Sequence, residues 1–424
     1  MSGLVVLQHG RVIDPANRRD EIADVWLQDG LITAPQADIP AHAELYDVQG
    51  KWVVPGLIDM HVHLREPGQE YKETIASGTN AAAAGGFTAV ACMPNTKPIN
   101  DEASVTRFIL EKAQSCKARV YPVGAISRRS EGLGLAEYGE MKKAGIVAVT
   151  DDGVPVVDSQ LMRRAMEYAG SHGLLVMSHA EEPALCRNGS MNEGLISTRL
   201  GLRGIPAAAE SIMVYREVAL AELTGARVHI CHVSTEASLA VIAMAKKRGV
   251  NVTAETAPHY FSLTDEAVLG YSTNAKMNPP LRSEFDRQAI RAALTDGTLD
   301  AIATDHAPHS VLEKEVEFNM AANGIVGLET ALPLGLALVR EGLFGASRLI
   351  ELMSTAPARI LGVAGGTLRE GAVADITVID PDLQHVFSAE ASCSKSKNSP
   401  FLGWQLQGRA VMTFLAGVRQ GFSC

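Results

Sequence analysis

Several features are missing from this sequence, and each absence removes a class of protein. No run of 18 apolar residues occurs in the 424-residue chain, so no membrane-spanning helix is expected. No basic tract interrupts a formal net charge of -10, which makes nucleic acid and anionic membranes poor partners. The six cysteines (Cys92, Cys116, Cys186, Cys231, Cys393, Cys424) are scattered without a Cys-x-x-Cys pair. Reduced thiols, mostly packed in apolar strands, are therefore expected. Internal repeats and low-complexity segments are absent. The stretch Met1 to Pro15 alternates apolar and polar residues and includes His9, Arg11 and Asp14. It lacks the basic flank and apolar centre of a secretory signal, so a cytoplasmic protein is expected. The acidic balance leaves an anionic small molecule open as a ligand, because one arginine binds a carboxylate locally.

What remains is ordinary globular composition, 46% hydrophobic and 20% charged, long enough for one large domain and a smaller companion. Both ends read as β-structure. Residues 4–13, 24–33 and 44–54 are strand-like, with Asp29-Gly30 as a hairpin signal. Residues 375–379, 404–407 and 410–415 behave the same way, with Gln407-Gly408 as the expected turn. The two ends thus predict a small β-sandwich built from residues 1–54 and 365–424. The middle, 55–364, alternates strand and helix. Apolar strand candidates lie at 52–63, 87–95, 118–126, 146–152, 174–180, 227–234, 251–257 and 300–306. Between them lie amphipathic stretches at 101–117, 158–172, 207–224, 235–248 and 284–296. Val105, Phe108, Ile109 and Cys116 have helical spacing, with Asp101 as the expected N-cap. Eight strands alternating with helices predict a (β/α)8 barrel. An open doubly wound sheet is the alternative, and normally has fewer strands.

Strands buried on both faces should be almost wholly apolar, so their polar residues are informative. The first candidate, WVVPGLIDMHVH, ends in His61 and His63. The fourth ends in Asp151 and Asp152, the fifth in His179, the sixth in His232, and the eighth in Asp305 and His306. All fall at the C-terminal mouth, where barrel enzymes assemble their sites. His61 and His63 are two apart on a strand and share a face. Imidazoles converging with carboxylates suit Zn²⁺ or a similar divalent ion. A lone His-x-His is weak evidence; four histidines and two aspartates ending five strands are not. Spacing alone does not choose between Asp151 and Asp152. His9, His42, His172 and His385 lie in peripheral positions. His229 is opposite in parity to His232 and should face the helix layer, and His306 is opposite to Asp305. His259, after the seventh strand, is not favoured as a lining residue. His309 falls in the first turn above the site.

These residues resemble a known group. Pro55-Gly-Leu-Ile-Asp59-Met-His61-Val-His63 is similar to the opening motif of the amidohydrolase superfamily. Within it, Leu64 to Gly68, Met93-Pro94-Asn95-Thr96, Met277 to Arg282 and Asp305 to His309 resemble the bacterial type I dihydroorotase family. So do Gly324 to Thr330 and Ser394 to Gly403, and the likeness covers nearly the whole chain. The resemblance implies that His61, His63, His179 and His232 are the imidazole ligands of one or two Zn²⁺ ions. It makes Asp152 the ligating or bridging carboxylate, with Asp151 in support, and Asp305 the remaining ligand and proton shuttle. The reaction implied interconverts dihydroorotate and N-carbamoyl-L-aspartate, a step of pyrimidine biosynthesis.

By the same resemblance Arg65, Asn95 and His309 clamp the substrate carboxylate, and Asn278 with the Asn323-Gly324 backbone contacts the ring and ureido edges. The bland alternative for Arg65 is a surface ion pair with Glu66. Two departures from the family pattern, Ser178 to Glu182 and Pro258-His259-Tyr260, change no ligand. Hydantoinases resemble a lysine-bridged pattern, which the fourth strand here lacks. Allantoinase-like chains tend to have an acidic residue where Arg65 stands. A degenerate structural partner of aspartate transcarbamoylase typically has lost ligands, and every one is intact here. Sequence is silent on whether the chain pairs with a second copy or with that transcarbamoylase. It leaves 310–323 either a mobile lid or a solvated connector.

Overall fold

The structure, a computed structural model, describes residues 3–422. Two large sheets carry it. The eight barrel strands are β1 (Leu57–Val62), β2 (Phe87–Cys92), β3 (Arg119–Gly124), β4 (Ala148–Val149), β5 (Leu175–Ser178), β6 (Val228–Ile230), β7 (Val252–Thr256) and β8 (Ala301–Ile302). They pair in sequence order and in parallel. The ring closes through a parallel bridge from Val62 to His306, where the His63 amide donates to His306 O at 2.8 Å. This is the (β/α)8 barrel that the alternation predicts.

Side-chain parity sorts the barrel into two layers. Val90, Val120, Val149, Val176, Val228, Val252 and Ile302 pack outward with helical residues such as Ile109, Met162, Val214, Ile242 and Ile290. The opposite set, including Ile58, Met60, Ala89, Ala91, Val123, Ala148, Met177, Cys231, Ala301 and Ala303, fills the lumen. The helices begin where the sequence supplies caps. Asp158 accepts from Leu161 N, Thr235 from Ser238 N and Ser283 from Asp286 N, each satisfying an orphan amide of the first turn. Asp101 does not cap its helix. Ala103–Ala113 starts after Glu102, and Asp101 Oδ2 instead accepts from Arg129 N at 2.8 Å.

The chain ends form an eight-stranded mixed sheet. Its apolar residues, among them Leu7, Val12, Val25, Leu27, Val53, Ile376, Val378 and Phe414, gather into a core of their own. Trp52–Pro55 belongs to this sheet and runs on, through Gly56, into β1. A Cβ on Gly56 would fall 2.1 Å from Thr88 Oγ1, so only glycine lets the crossing pass this close. Gln407-Gly408 is not a turn. Gln405–Leu415 is one strand, paired antiparallel with Ile376–Val386. Gly408 is favoured there by its left-handed φ of 91°, and a Cβ would also press on Leu336 Cδ1 at 2.3 Å, on the helix Ala331–Arg340. The sheet is tied to the barrel by Arg119, which donates twice to Asp375 at 2.9 and 3.2 Å. Cys92, Cys116, Cys186 and Cys231 are free thiols. Cys393 is disulfide-bonded, which departs from the expectation of reduced thiols. Cys424 lies outside the described residues.

Candidate metal centre and substrate pocket

The pairing between β1 and β2 shifts register between Asp59 and Val62, where Met60 and His61 together stand opposite Ala91. This bulge turns His61 into the lumen beside His63, the kind of re-aiming that bulges bring about next to active sites. His232 and Asp305 reach the same point from a backbone with φ of 35° and 48°. The result is a cluster at the mouth. His61 Nε2 lies 3.3 Å from Asp152 Oδ1 and 3.6 Å from Asp305 Oδ1. His63 Nε2 lies 3.1 Å from Asp305 Oδ1 and 3.5 Å from Asp152 Oδ2. His179 Nδ1 and His232 Nε2 stand 3.7 and 3.6 Å from Asp152 Oδ1. All six side chains are buried.

Asp152 is the carboxylate at the centre. Asp151 points away, accepting from the Ile126 and Ser127 amides and the Ser127 hydroxyl. Burial works against the charge on Asp152, but the imidazoles of His61 and His232 outweigh it and hold the group well below the usual carboxylate range. Burial likewise opposes a charge on His61, and Asp152 overrides it to raise that imidazole well above its ordinary value.

These donors fit a divalent cation. Ligand atoms about 2.0–2.1 Å from a tetrahedral ion are about 3.3 Å apart, close to the separations above. His61, Asp152 and His232 form one group with mutually close donor atoms, and His61, His63 and Asp305 form another. His61 Nε2 and Asp152 Oδ1 are buried without a hydrogen-bond partner, an arrangement that costs free energy unless something binds them. The tautomers agree. His61 Nδ1 donates to Glu255 Oε1 at 3.0 Å and His63 Nδ1 to Asn95 Oδ1 at 2.8 Å. Both Nε2 atoms are thereby the ones facing the cluster, available to offer their lone pairs to a bound cation.

Above the cluster opens a cavity of about 220 Å³, lined by His63, Arg65, Asn95, Asp152, Gly153, His179, His232, Asn278, Asp305, Ala307, His309, Asn323 and Gly324. It unites all the side chains expected to contact substrate with five of the six expected ligands. His61 lies beneath it. Arg65 is buried and does not pair with Glu66, whose Oε2 accepts from Ile75 N. Its Nε donates to Pro308 O at 3.1 Å. Arg65 Nη2 is 3.3 Å from His309 Nε2, but that nitrogen is closer, at 2.8 Å, to Asn323 O and donates there. The guanidinium edge stays available to the cavity. Burial brings the Arg65 pKa down to about 10, still charged at neutral pH. Burial, reinforced by Arg65 and Lys72, brings His309 down to about 3, so it is neutral.

Other histidines depart from expectation or stay outside. His229 is in the lumen and not in the helix layer, with Nε2 3.2 Å from Glu255 Oε2. Parity counted back from His232 fails because the strand ends at Ile230 and His232 is left-handed. His306 turns away, 3.5 Å from Glu73. His259 is buried, brought down to about 4 by desolvation, and does not line the cavity. His9 and His42 are exposed, and His172 and His385 are partly buried far from the mouth. Glu255 and Glu181 were not singled out by sequence reasoning. Glu181 Oε2 lies 3.6 Å from His179 Nε2. The signal for Glu255 was present, a charged residue inside an apolar strand. The segment 310–323 is fastened to the rim. Glu313 pairs with Lys72 at 2.7 Å, and the buried Lys314 donates to the carbonyls of Lys276, Ala322 and Gly324.

A parallel barrel whose mouth gathers four imidazoles and two carboxylates under a small polar cavity is the architecture of the metal-dependent amidohydrolases. Solved structures agree. The chain is similar to the L-hydantoinase (dihydropyrimidinase) from Arthrobacter aurescens, with a TM-score of 0.88 and 26% identity, covering 99% of this chain and 96% of that one. It is also similar to a D-hydantoinase from a Bacillus sp. AR9, with a TM-score of 0.84, 25% identity and coverage of 98% and 95%. A family model described as dihydro-orotase-like matches residues 50–238. A dihydroorotase of Desulfotalea psychrophila is 69% identical over 98% of both chains, and one of Geobacter metallireducens is 56% identical over 97% of this chain and 98% of its own. The chain belongs to the dihydroorotase family.

Proposed function

We propose that this protein is a dihydroorotase of pyrimidine biosynthesis, interconverting dihydroorotate plus water and N-carbamoyl-L-aspartate. The carrying observation is the buried Arg65 beside the metal cluster. No ion pair engages it among the described residues, and its free edge faces the cavity. A guanidinium held this way suits a substrate carboxylate, which it grips with two parallel N–H bonds. A neutral hydantoin ring would give it nothing to pair with. The dihydroorotase names of relatives at 56–69% identity support the same reading. A cytoplasmic setting fits a soluble metabolic enzyme, and no described helix is long and apolar enough to cross a membrane.

His61, His63, Asp152, His179, His232 and Asp305 would hold one or two Zn²⁺ ions. A cation there supplies Lewis-acid polarisation of the ring amide carbonyl and makes water more acidic. The chain's own groups do the rest. Burial raises the Asp305 pKa, but the His63 hydrogen bond and the charge of His61 outweigh it and keep Asp305 well below the carboxylate range. Asp305 therefore starts as a base. It takes the proton of the attacking water as the C–O bond forms, and returns it to the ring nitrogen as the C–N bond breaks. Arg65 and the Nδ2 group of Asn95 position the carboxylate beside the neutral His309, which braces the Asn323 carbonyl, while Asn278 and the Asn323-Gly324 backbone face the ring. In the biosynthetic direction the same proton path runs in reverse.

The test is a side-by-side assay of metal-quantified protein on dihydroorotate, hydantoin and allantoin. Dihydroorotate should be turned over far faster than the other two. A preference for hydantoin or allantoin would overturn the assignment, and a well-folded protein that binds no metal and turns over none of the three would make it a structural homologue.

A further inference from the structure

Under the metal cluster, the barrel lumen holds polar groups that the reaction does not use. Glu255 stands in β7, 0% exposed, at the level of Ala301 on the neighbouring strand. The lumen around it is filled by Ile58, Met60, Cys231 and Ala303. Its Oε1 accepts from His61 Nδ1 at 3.0 Å, and its Oε2 faces His229 Nε2 at 3.2 Å. His229 Nδ1 in turn lies 2.8 Å from Thr253 Oγ1, the residue two before Glu255 on the same strand. A line of contacts therefore descends from the cluster, through His61, Glu255 and His229, to a hydroxyl deeper in the barrel.

Packing alone does not call for this arrangement. An ionised carboxylate in a dry lumen costs several kcal/mol even after relaxation, and a leucine or methionine would fill the same space without that cost. Glu255 does something hydrocarbon would not: it dictates which imidazole nitrogen of His61 carries the proton. With Nδ1–H committed to the carboxylate, Nε2 is the nitrogen left to offer its lone pair to a cation held with Asp152 and Asp305. The negative charge behind the ring also makes that lone pair more basic. His229 Nε2 stands 3.2 Å from the second carboxylate oxygen, within ion-pair reach though outside hydrogen-bond geometry.

We propose that Glu255, backed by His229, is a positioning residue that orients His61 and tightens metal binding. The assignment rests on the metal-site reading above and adds a residue to it. The measurement is Zn²⁺ affinity, by competition with a chromophoric chelator, for the wild-type chain, Glu255→Leu and Glu255→Gln. Glu255→Leu should bind Zn²⁺ about 10–100-fold more weakly, the range for loss of a partner behind a metal-ligating histidine. Glu255→Gln should recover part of that loss, since its amide oxygen still accepts from Nδ1. The thermal midpoint of the metal-free chains is read alongside, because Glu255→Leu strips the carboxylate partner from two buried histidines and should lower it by itself. A purely structural role would lower that midpoint and leave the affinity alone. Wild-type affinity in Glu255→Leu, or no recovery in Glu255→Gln, overturns the proposal. If Glu255→Leu does not fold, Glu255→Gln decides: several-fold weaker binding upholds the role and unchanged binding overturns it. A wild-type chain that fails to bind Zn²⁺ would instead sink the metal site itself.

Discussion

The barrel mouth and the terminal sheet are built on opposite terms. In the sheet, left-handed backbone serves reversals and breaks in strand register: Asp29 and Gly30, with φ of 50° and 81°, close the hairpin between Gln28 and Leu31, Ala416 and Gly417 close the last one, and Gly408 and the exposed His9 sit where the pairing shifts register. Its core cluster is apolar, and buried polar side chains of its strands such as Thr377 and Thr413 donate to backbone carbonyls. At the mouth, Arg65, His232 and Asp305 adopt φ of 62°, 35° and 48° with buried charged or polar side chains and no glycine among them. Each such residue costs on the order of 1–3 kcal/mol and persists because the packed layers around it fix the backbone. The contrast teaches that stability and chemistry are separable here. The sheet and helix layers stabilise, and the mouth draws on that surplus.

Substitutions can break or sharpen this division. The largest effect is expected from Asp305→Asn, which should lower kcat on dihydroorotate by about 10²–10⁴-fold, the usual contribution of a positioned acid–base group. Its circular dichroism should match wild type, and near-normal turnover would remove Asp305 from proton transfer. Phe414→Ala, in the sheet core, should cost about 3–5 kcal/mol of unfolding free energy while leaving KM unchanged. An altered KM would show that the two regions are coupled. Arg65→Met removes a charge-assisted bond of about 1.5–3 kcal/mol. It should raise KM for dihydroorotate by about 10–100-fold at constant Zn²⁺ content, and an unchanged KM would refute the carboxylate clamp.

The smallest effect concerns the rim. Burial pushes the Glu313 pKa up, but Lys72 and Ser310 outweigh it and bring it from 4.5 down to about 2. A carboxyl depressed on folding stabilises above its unfolded value and loses that contribution as pH falls through the folded one. Amide protection of 310–323 should therefore decline as pH drops from about 4.5 towards 2. In Glu313→Gln, protection should be lower at neutral pH and flat across that window. A wild-type profile in the variant would show that the ion pair does not hold the segment.

Much of this was legible in the sequence, because apolar strands make their polar exceptions conspicuous. His61, His63, Asp152, His179, His232 and Asp305 all stood out as breaks at strand ends. Spacing alone left Asp151 and Asp152 equal, since both end the same strand; the family resemblance favoured Asp152, and the loop geometry that sends Asp151 to the Ser127 amide gives the physical reason. His229 was misplaced because alternation holds only while backbone stays extended, and at His232 it does not. Glu255 escaped notice for a different reason: attention fell on the ends of strands, and this carboxylate sits inside one. Gly408 looked like a turn because a left-handed glycine at a register break inside a strand and one at a reversal leave the same mark in a sequence.

The pairing of Trp52–Pro55 with Ile376–Ile379 also sets an order of events during synthesis. Every barrel strand leaves the ribosome before the last hairpin of the sheet exists. Until residues 376–415 emerge, Trp52–Pro55 waits as an open edge, the kind of template on which strands of other molecules add. Chains released early by a premature stop would carry that sticky border permanently, so degradation of truncated products should matter more for this protein than for one whose small domain is completed at its beginning.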